Sequence, residues 1–452
     1  MLEFIKDIDL GFKIPTPDKT IKVAITGMSR SGKTVFLTSI INQLIANDKL
    51  PYLNDKLGRK FVARLLPPDS IYMRFDYYNK IKALRSDNPR WPKSTKSVSK
   101  TTVQLEFKSE YGFLENQIIN LELIDYPGEW LLDLAMLDMS FAQWSEFMIK
   151  LANESSRFTY AHEWLDEIDK YSLNEIPKKG VEELLFDYYS EYLKKLYYQE
   201  FSFMQPGRFI EPGDMKDDPI LTFCPLPSVR GYKRENSIYS NFENKYNLYR
   251  DEVVKRLYLE HFQKFDTQII LVDLVKTLNE GEDIFEDMHL ALKNILKTFT
   301  YGSNNIFSKF FETKIDHVIF AATKADHIPI SSHESYMNLL RSMISDIKKE
   351  LDVQHIDTEV TIFSSVKSTQ YVKAKLEGIE VDCVRGIVEG EDESSTHFPG
   401  FLPADFRSSD FWEKAEFAFE TFKPISFPAR DNEAVEHIRM DRLIYSLLEG
   451  RV

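Results

Sequence analysis

Short apolar runs and longer amphipathic stripes alternate along this chain, and their order predicts an α/β fold. Ile21-Lys22-Val23-Ala24-Ile25-Thr26 is rich in β-branched residues and predicts a buried strand. After the next turn, Phe36, Ile40 and Leu44 recur at helical spacing with Leu37 and Ile41 beside them, so a helix follows. Val103, Leu105 and Phe107 alternate with polar neighbours, a turn near Gly112 comes next, and Leu121 to Asp125 is a second apolar run. That pair predicts an antiparallel hairpin. Gln268 to Leu274, His317 to Ala322 and Val360 to Phe363 predict three more buried strands. A helix carrying Leu340, Met343, Ile344, Ile347 and Leu351 on one face lies between the last two. A mostly parallel sheet with an antiparallel hairpin strand accounts for this order.

The stretch between the hairpin and the strand at 268 is helical in character. Leu134, Leu137, Phe141, Trp144, Met148 and Leu151 form one stripe, and Leu185, Tyr189, Tyr192 and Leu196 form another. Gln205 to Gly231, dense in Pro and Gly, separates these from an aromatic helix at about 238 to 264. The pattern predicts a helical subdomain packed on itself and on the sheet, with an aromatic partner groove as the alternative. After 370, Ile379 to Val388 alternates and predicts edge strands, and a last helix is expected from about 432 to 449. The expected division is 15–130 and 265–375 for the two parts of the core, 131–264 for the helical insertion and 376–452 for a small C-terminal α/β extension.

The 452 residues include 57 Lys+Arg and 71 Asp+Glu, a net charge of −14. A chain of this length buries a full core without disulfides. Its acidic balance argues against a general nucleic-acid binder, and no sequence-specific nucleic acid is expected. Cys224 and Cys383 lie far apart with no metal or redox spacing, which fits a reducing compartment. Met1 to Asp7 shows no leader pattern, and the longest apolar runs fall short of the ~20 residues of a membrane span. A soluble cytoplasmic protein is expected. The nine histidines are scattered without i, i+4 spacing, so no dedicated zinc or iron site is expected.

Chemistry enters at Gly27-Met28-Ser29-Arg30-Ser31-Gly32-Lys33-Thr34, a complete GxxxxGK[ST] between a strand and a helix. In that setting the N–H groups of Ser29, Arg30, Ser31, Gly32, Lys33, Thr34 and Val35 surround phosphate oxygens. Lys33 adds charge at the β- and γ-phosphates, and Thr34 is a candidate Mg²⁺ ligand. The second hairpin strand ends in Asp125-Tyr126-Pro127-Gly128, a DxxG. Asp125 is expected to hold Mg²⁺ through water and the Gly128 N–H to sense the γ-phosphate. Glu129 follows at the place where a group orients the attacking water, although its charge is repelled by phosphate. No residue identifies itself as a built-in arginine finger, and Arg30 is the nearest candidate. Hydrolysis by the isolated protein is therefore expected to be slow.

Thr323-Lys324-Ala325-Asp326 follows a later apolar strand and has the form [NT]KxD. The Asp326 carboxylate can accept from two donors on guanine, whereas adenine has no matching pair and leaves the acceptor unsatisfied. Lys324 is expected to lay its stem along the base. Ser365, Val366 and Lys367, at the end of the last strand, occupy the loop expected to meet guanine O6. The switch ligand to Mg²⁺ is sought in the basic stretch from Arg90 to Thr102. Thr95 is the first choice, and Ser99, Thr101 and Thr102 remain competitors. The bases of this stretch make only a weak footprint for an anionic membrane surface.

The order of these motifs is the plan of a P-loop GTPase-like core, and the chain resembles the bacterial YcjX-like family of P-loop NTPases. Arg90-Trp91-Pro92, Phe141-Ala142-Gln143, Gln205-Pro206-Gly207-Arg208-Phe209, Pro212-Gly213-Asp214 and His437-Ile438-Arg439-Met440-Asp441-Arg442 are similar to that family's landmarks. The resemblance implies a cytoplasmic, stress-associated protein that binds GTP or GDP with Mg²⁺ and works with an unidentified protein partner. Peripheral contact with the inner membrane is a further expectation. An ATPase, or a non-catalytic scaffold at a membrane surface, is the alternative.

Overall fold

The computed structural model describes residues 18–28, 31–67, 73–93, 98–108, 116–260, 265–297, 315–353, 355–402, 411–414, 417–425 and 433–452. Eleven strands are seen among them. β1 (Lys19–Gly27), β2 (Phe61–Leu65), β3 (Met73–Arg74), β4 (Ser99–Phe107), β5 (Gln117–Asp125), β6 (Thr267–Val272), β7 (His317–Ala322) and β8 (Asp357–Ile362) form one sheet. Its order is β2-β4-β5-β1-β6-β7-β8, with β3 alongside β4. From β5 to β8 every neighbour is parallel, while β4 runs antiparallel to both β2 and β5. This is the mostly parallel α/β sheet with a hairpin strand that the pattern predicts. The turn near Gly112 lies outside the described residues.

β2 and β3 were not expected. Phe61 and Ala63 are buried in β2 while Val62 is 60% exposed, so its apolar signal is short and interrupted. Three expected helices also differ in extent. The stripe from Leu134 to Leu151 is two elements, a 3-10 turn Leu134–Asp138 and a helix Phe141–Ala152. Ser140 caps the second reciprocally with Gln143, which stops the first. The stripe from Leu340 to Leu351 is likewise two helices, His333–Met343 and Ser345–Val353. The last helix is Met440–Leu448 and does not begin near 432. The chain before it runs across the first helix, Lys33–Ala46, where Asn42 Oδ1 accepts from the Val435 N–H (2.8 Å) and Gln43 Nε2 donates to the Val435 carbonyl (2.7 Å). Those buried amides need backbone partners, and an α-helix offers none in mid-segment.

The sheet carries a core on each face. Ile21, Val23 and Ile25 point to one side, with Phe36, Ile40 and Leu44 of the first helix and Leu443, Ile444 and Leu447 of the last. Ala24, Ile124, Ile270 and Phe320 point to the other, into one cluster with Trp144, Trp164, Tyr189 and Tyr246 of the helical segment between β5 and β6. That segment therefore shares the core of the sheet. Arg157, 1% exposed, pairs there with buried Asp287 and donates to the Phe203 carbonyl (2.8 Å). Breaking such a buried pair from one side costs about 3–5 kcal/mol. Beyond β8, β9 (Gln370–Leu376), β10 (Ile379–Ile387) and β11 (Ser394–His397) form a small antiparallel sheet.

Candidate nucleotide site

β1 delivers Gly27 to a turn that opens the first helix at Lys33. Gly32 caps that helix with φ 88°, a conformation that favours glycine. Lys33 Nζ donates to the Gly27 carbonyl at 2.7 Å, so its ammonium lies over the loop. A Cβ at Gly27 would press on the Leu271 carbonyl at 2.8 Å and on Ser31 Oγ. Ser31 is buried, and its hydroxyl finds no hydrogen-bond partner among the described residues. Ser29, Arg30 and Thr95 lie outside the described residues.

Asp125 ends β5 opposite both Ile25 of β1 and Ser99 of β4. Of the competing switch residues, Ser99 is thus the one in register with Asp125, while Thr101 and Thr102 stand opposite Leu123 and Glu122. Asp125 and Ser99 are buried oxygen donors paired across the ends of β5 and β4, and Thr34 is a third at the start of the first helix, each the kind of hard ligand Mg²⁺ takes. The orphaned Ser31 hydroxyl and the Gly27 turn beside it fit the phosphates such an ion accompanies. Gly128 sits where any Cβ would collide with the Gly27 carbonyl, which locks the DxxG turn against the loop.

Glu129 begins a short helix, Glu129–Asp133, and is 3% exposed. The segment from Gln205 onward grips this helix from behind. Gly207 lies so close to the Glu129 carbonyl that a side chain there has no room, and its N–H donates to Asp133 Oδ1 (2.7 Å). Tyr249 donates its hydroxyl to Asp133 Oδ2 at 2.6 Å, while burial lifts the Asp133 carboxyl to about 6. The Arg208 guanidinium stacks 3.7 Å from the centre of the Trp130 ring and pairs with Asp214. Trp130, Asp133, Gly207, Arg208 and Tyr249 belong to no nucleotide motif of the sequence. Their signal was the Pro-Gly string after aromatic helices.

At the far end, Lys324 takes a left-handed conformation (φ 58°) and pairs through Nζ with Asp273 Oδ2 at 2.6 Å. Asp326 is 1% exposed. Ser364 Oγ donates to its Oδ1, and Ser368 donates to its Oδ2 from both N–H and Oγ, each at 2.7 Å. A carboxylate has about four acceptor positions, so one on Oδ1 is left. Two guanine donors need one on each oxygen. The Ser368 hydroxyl has a second neighbour, His327 Nε2 at 3.4 Å, toward which it can turn to release Oδ2. Burial lowers the His327 pKa, and Nδ1 meets the Glu420 carbonyl at 3.1 Å, which leaves Nε2 of the neutral ring as the acceptor.

One cavity of about 480 Å³ joins the two ends. Ser31, Gly32, Lys33, Thr34 and Val35 line it together with Glu129 at one end, and Thr323, Lys324, Asp326, Ser365 and Val366 at the other. Lys367 is not brought to its wall. The Lys367 N–H is taken by the Glu436 carbonyl (2.8 Å) and Nζ lies over the Tyr371 ring, because the chain before the last helix pairs with this loop. Asp125 and Gly128 stand outside the lining too. Ser364, Ser368 and His327 line the cavity as well and carry no motif of their own in the sequence, since their contacts with Asp326 and with one another are made by the fold.

Residues 21–452 match the model of the YcjX-like family, DUF463. A protein named Ras-like GTPase YcjX from Escherichia coli (strain K12) is 33% identical over 456 residues, covering 96% of each chain. A protein of the same name from Shewanella oneidensis is 31% identical over 470 residues, covering 97% of this chain and 96% of that one. The match extends from β1 through the insertion to the last helix, and on it the chain belongs to the YcjX-like family.

Proposed function

We propose that this protein binds guanine nucleotides with Mg²⁺ and hydrolyses GTP slowly to GDP and phosphate, acting as a stress-linked molecular switch for a protein partner. The observation that carries the reading is the single cavity joining Lys33 and Thr34 to Asp326 and Ser365. The names of the relatives, Ras-like GTPase, support it. Thr34, Asp125 and Ser99 would hold the metal, which when bound screens the phosphate charge. Lys33 binds the phosphates, Glu129 holds a water proton, and Asp326 reads the base. The clamp on Glu129–Asp133 is where a change at Gly128 would reach the helical segment.

Among the described residues no helix is long and apolar enough to cross a membrane. A peripheral role at the inner membrane and a cytoplasmic location stand as parts of the proposal. The test is calorimetric titration of the purified protein with GTP, GDP, ATP and ADP, with and without Mg²⁺, followed by single-turnover hydrolysis. Mg²⁺-dependent guanine binding with weak adenine competition is expected. Equal affinity for ATP and GTP would overturn the guanine reading, and bound GTP that never turns over would leave a scaffold.

A further inference from the structure

Arg90-Trp91-Pro92 belongs to none of the nucleotide motifs. In the structure Trp91 and Pro92 line the cavity together with Thr421 and Phe422, residues from the far C-terminal part of the chain. The Trp91 indole N–H donates to the Phe422 carbonyl at 2.8 Å. The ring is half-buried, packed in part against the core on the first-helix face of the sheet and in part lining the cavity.

The segment that holds Trp91 is itself fastened on several sides. Asn279, on the helix after β6, donates to the Phe419 carbonyl (2.7 Å) and accepts from its N–H (3.0 Å). The Glu389 N–H donates to the Thr421 carbonyl and the Lys423 N–H to the Ile387 carbonyl, both at 2.7 Å. The Phe422 ring packs edge-on against His327, 5.1 Å between centres. Gly386 gives it room, since a Cβ there would meet Phe422 Cδ1 at 2.6 Å and the Ser368 carbonyl at 3.1 Å. His327 and Ser368 are the neighbours of Asp326, so this strap and Trp91 stand at the base end of the cavity.

We propose that Trp91, held by the 417–425 strap, is the stacking surface for the purine base, which makes the C-terminal extension a wall of the nucleotide site. The proposal rests on the nucleotide reading above and adds to it the group that binds the face of the base. An aromatic ring gains energy from the π-face of any base, whereas Asp326 reads an edge. The two residues therefore divide the work, Trp91 supplying affinity common to purines and Asp326 the choice among them. Lys324 lines the same cavity with its Nζ drawn to Asp273, which leaves its stem for the base as well.

The experiment compares wild type, Trp91→Phe and Trp91→Ala by calorimetry with GDP, XDP and ADP, and reads tryptophan emission. Of the five tryptophans, Trp130, Trp144 and Trp164 are buried, so a ligand-dependent change in acrylamide quenching reports Trp91 or half-buried Trp412. Trp91→Ala is expected to weaken all bound purine nucleotides by about tenfold with their ratios preserved, and Trp91→Phe to keep most of the affinity. GDP is expected to shield wild-type emission from acrylamide, and that shielding disappears in Trp91→Phe. Trp91→Ala binding GDP like wild type overturns this proposal alone. Equal losses in Trp91→Phe and Trp91→Ala, with no shielding in wild type, also overturn it and leave Trp91 as an anchor of the strap. No binding of GDP by wild type overturns the nucleotide reading with it.

Discussion

At the phosphate end of the cavity the groups are neighbours in sequence and act largely through backbone. Ser31 to Val35 follow β1 directly, and Gly27 and Gly32 serve by lacking a side chain. At the base end, Trp91, Ser368 and Phe422 come from three separate segments and Lys324 with Asp326 from a fourth, and contacts between those segments hold them in place. The first end is fixed by a local turn, whose geometry follows from a few residues. The second depends on long-range packing, so a remote change in the C-terminal part reaches it.

The strongest test of this contrast is removal of Lys33. Lys33→Ala is expected to weaken GDP and ADP alike by roughly 100-fold or more, since a charged contact to phosphate is lost whatever the base. Thr34→Ala should also lose nucleotide, but excess Mg²⁺ should partly restore it only there. Calorimetry at two Mg²⁺ concentrations checks both, and wild-type affinity in Lys33→Ala would show that the loop holds no phosphate.

At the other end the change should be in choice. Asp326→Asn is expected to shift the ratio of GDP to XDP affinity on the order of 100-fold toward xanthine, because the amide donates where the carboxylate only accepts. An unchanged ratio would remove Asp326 as the base reader.

Glu129 sits at the phosphate end yet depends on a remote clamp through Gly207, so it probes whether that end is as local as its loop. Glu129→Ala is expected to leave GTP affinity within about threefold and slow single-turnover hydrolysis about tenfold. Identical rates would assign water positioning to another group.

The smallest effect is expected from Ser368→Ala. In the proposed binding mode the hydroxyl would compete with guanine for Asp326 Oδ2, while the Ser368 N–H still anchors the carboxylate. GDP affinity should stay within about threefold of wild type. A tenfold loss would mean that the hydroxyl positions the carboxylate and does not yield to the base.

How much was legible in advance follows the same division. The strands β6 and β7 showed themselves because every residue in them is buried, and β1 and β5 because each ends in a fully buried stretch. β2 and β3 did not, since a short strand at a sheet edge carries few buried positions. The extended course before Met440 was hidden because its partners, Asn42 and Gln43, look like ordinary helix residues in the sequence. Lys367 followed the same rule, with its N–H claimed by Glu436 from a distant segment. Clamping of the helix at Glu129 was unreadable too. Nothing in Gln205-Pro206-Gly207 announces that a glycine must fit against the Glu129 carbonyl.

By itself the sequence determined the strand-turn-helix that ends β1, the DxxG after β5 and the TKAD after β7, because each is a short string at the end of an apolar strand, legible from neighbouring residues alone. Tertiary structure decided that the loop before the first helix and the TKAD face one cavity, that Ser99 stands opposite Asp125, and that Ser364 and Ser368 hold Asp326. It also decided that Trp91 is tied to Phe422 at the base end. Such contacts bring together residues far apart along the chain, and closing those loops is repaid by burial and hydrogen bonds that no single segment contains.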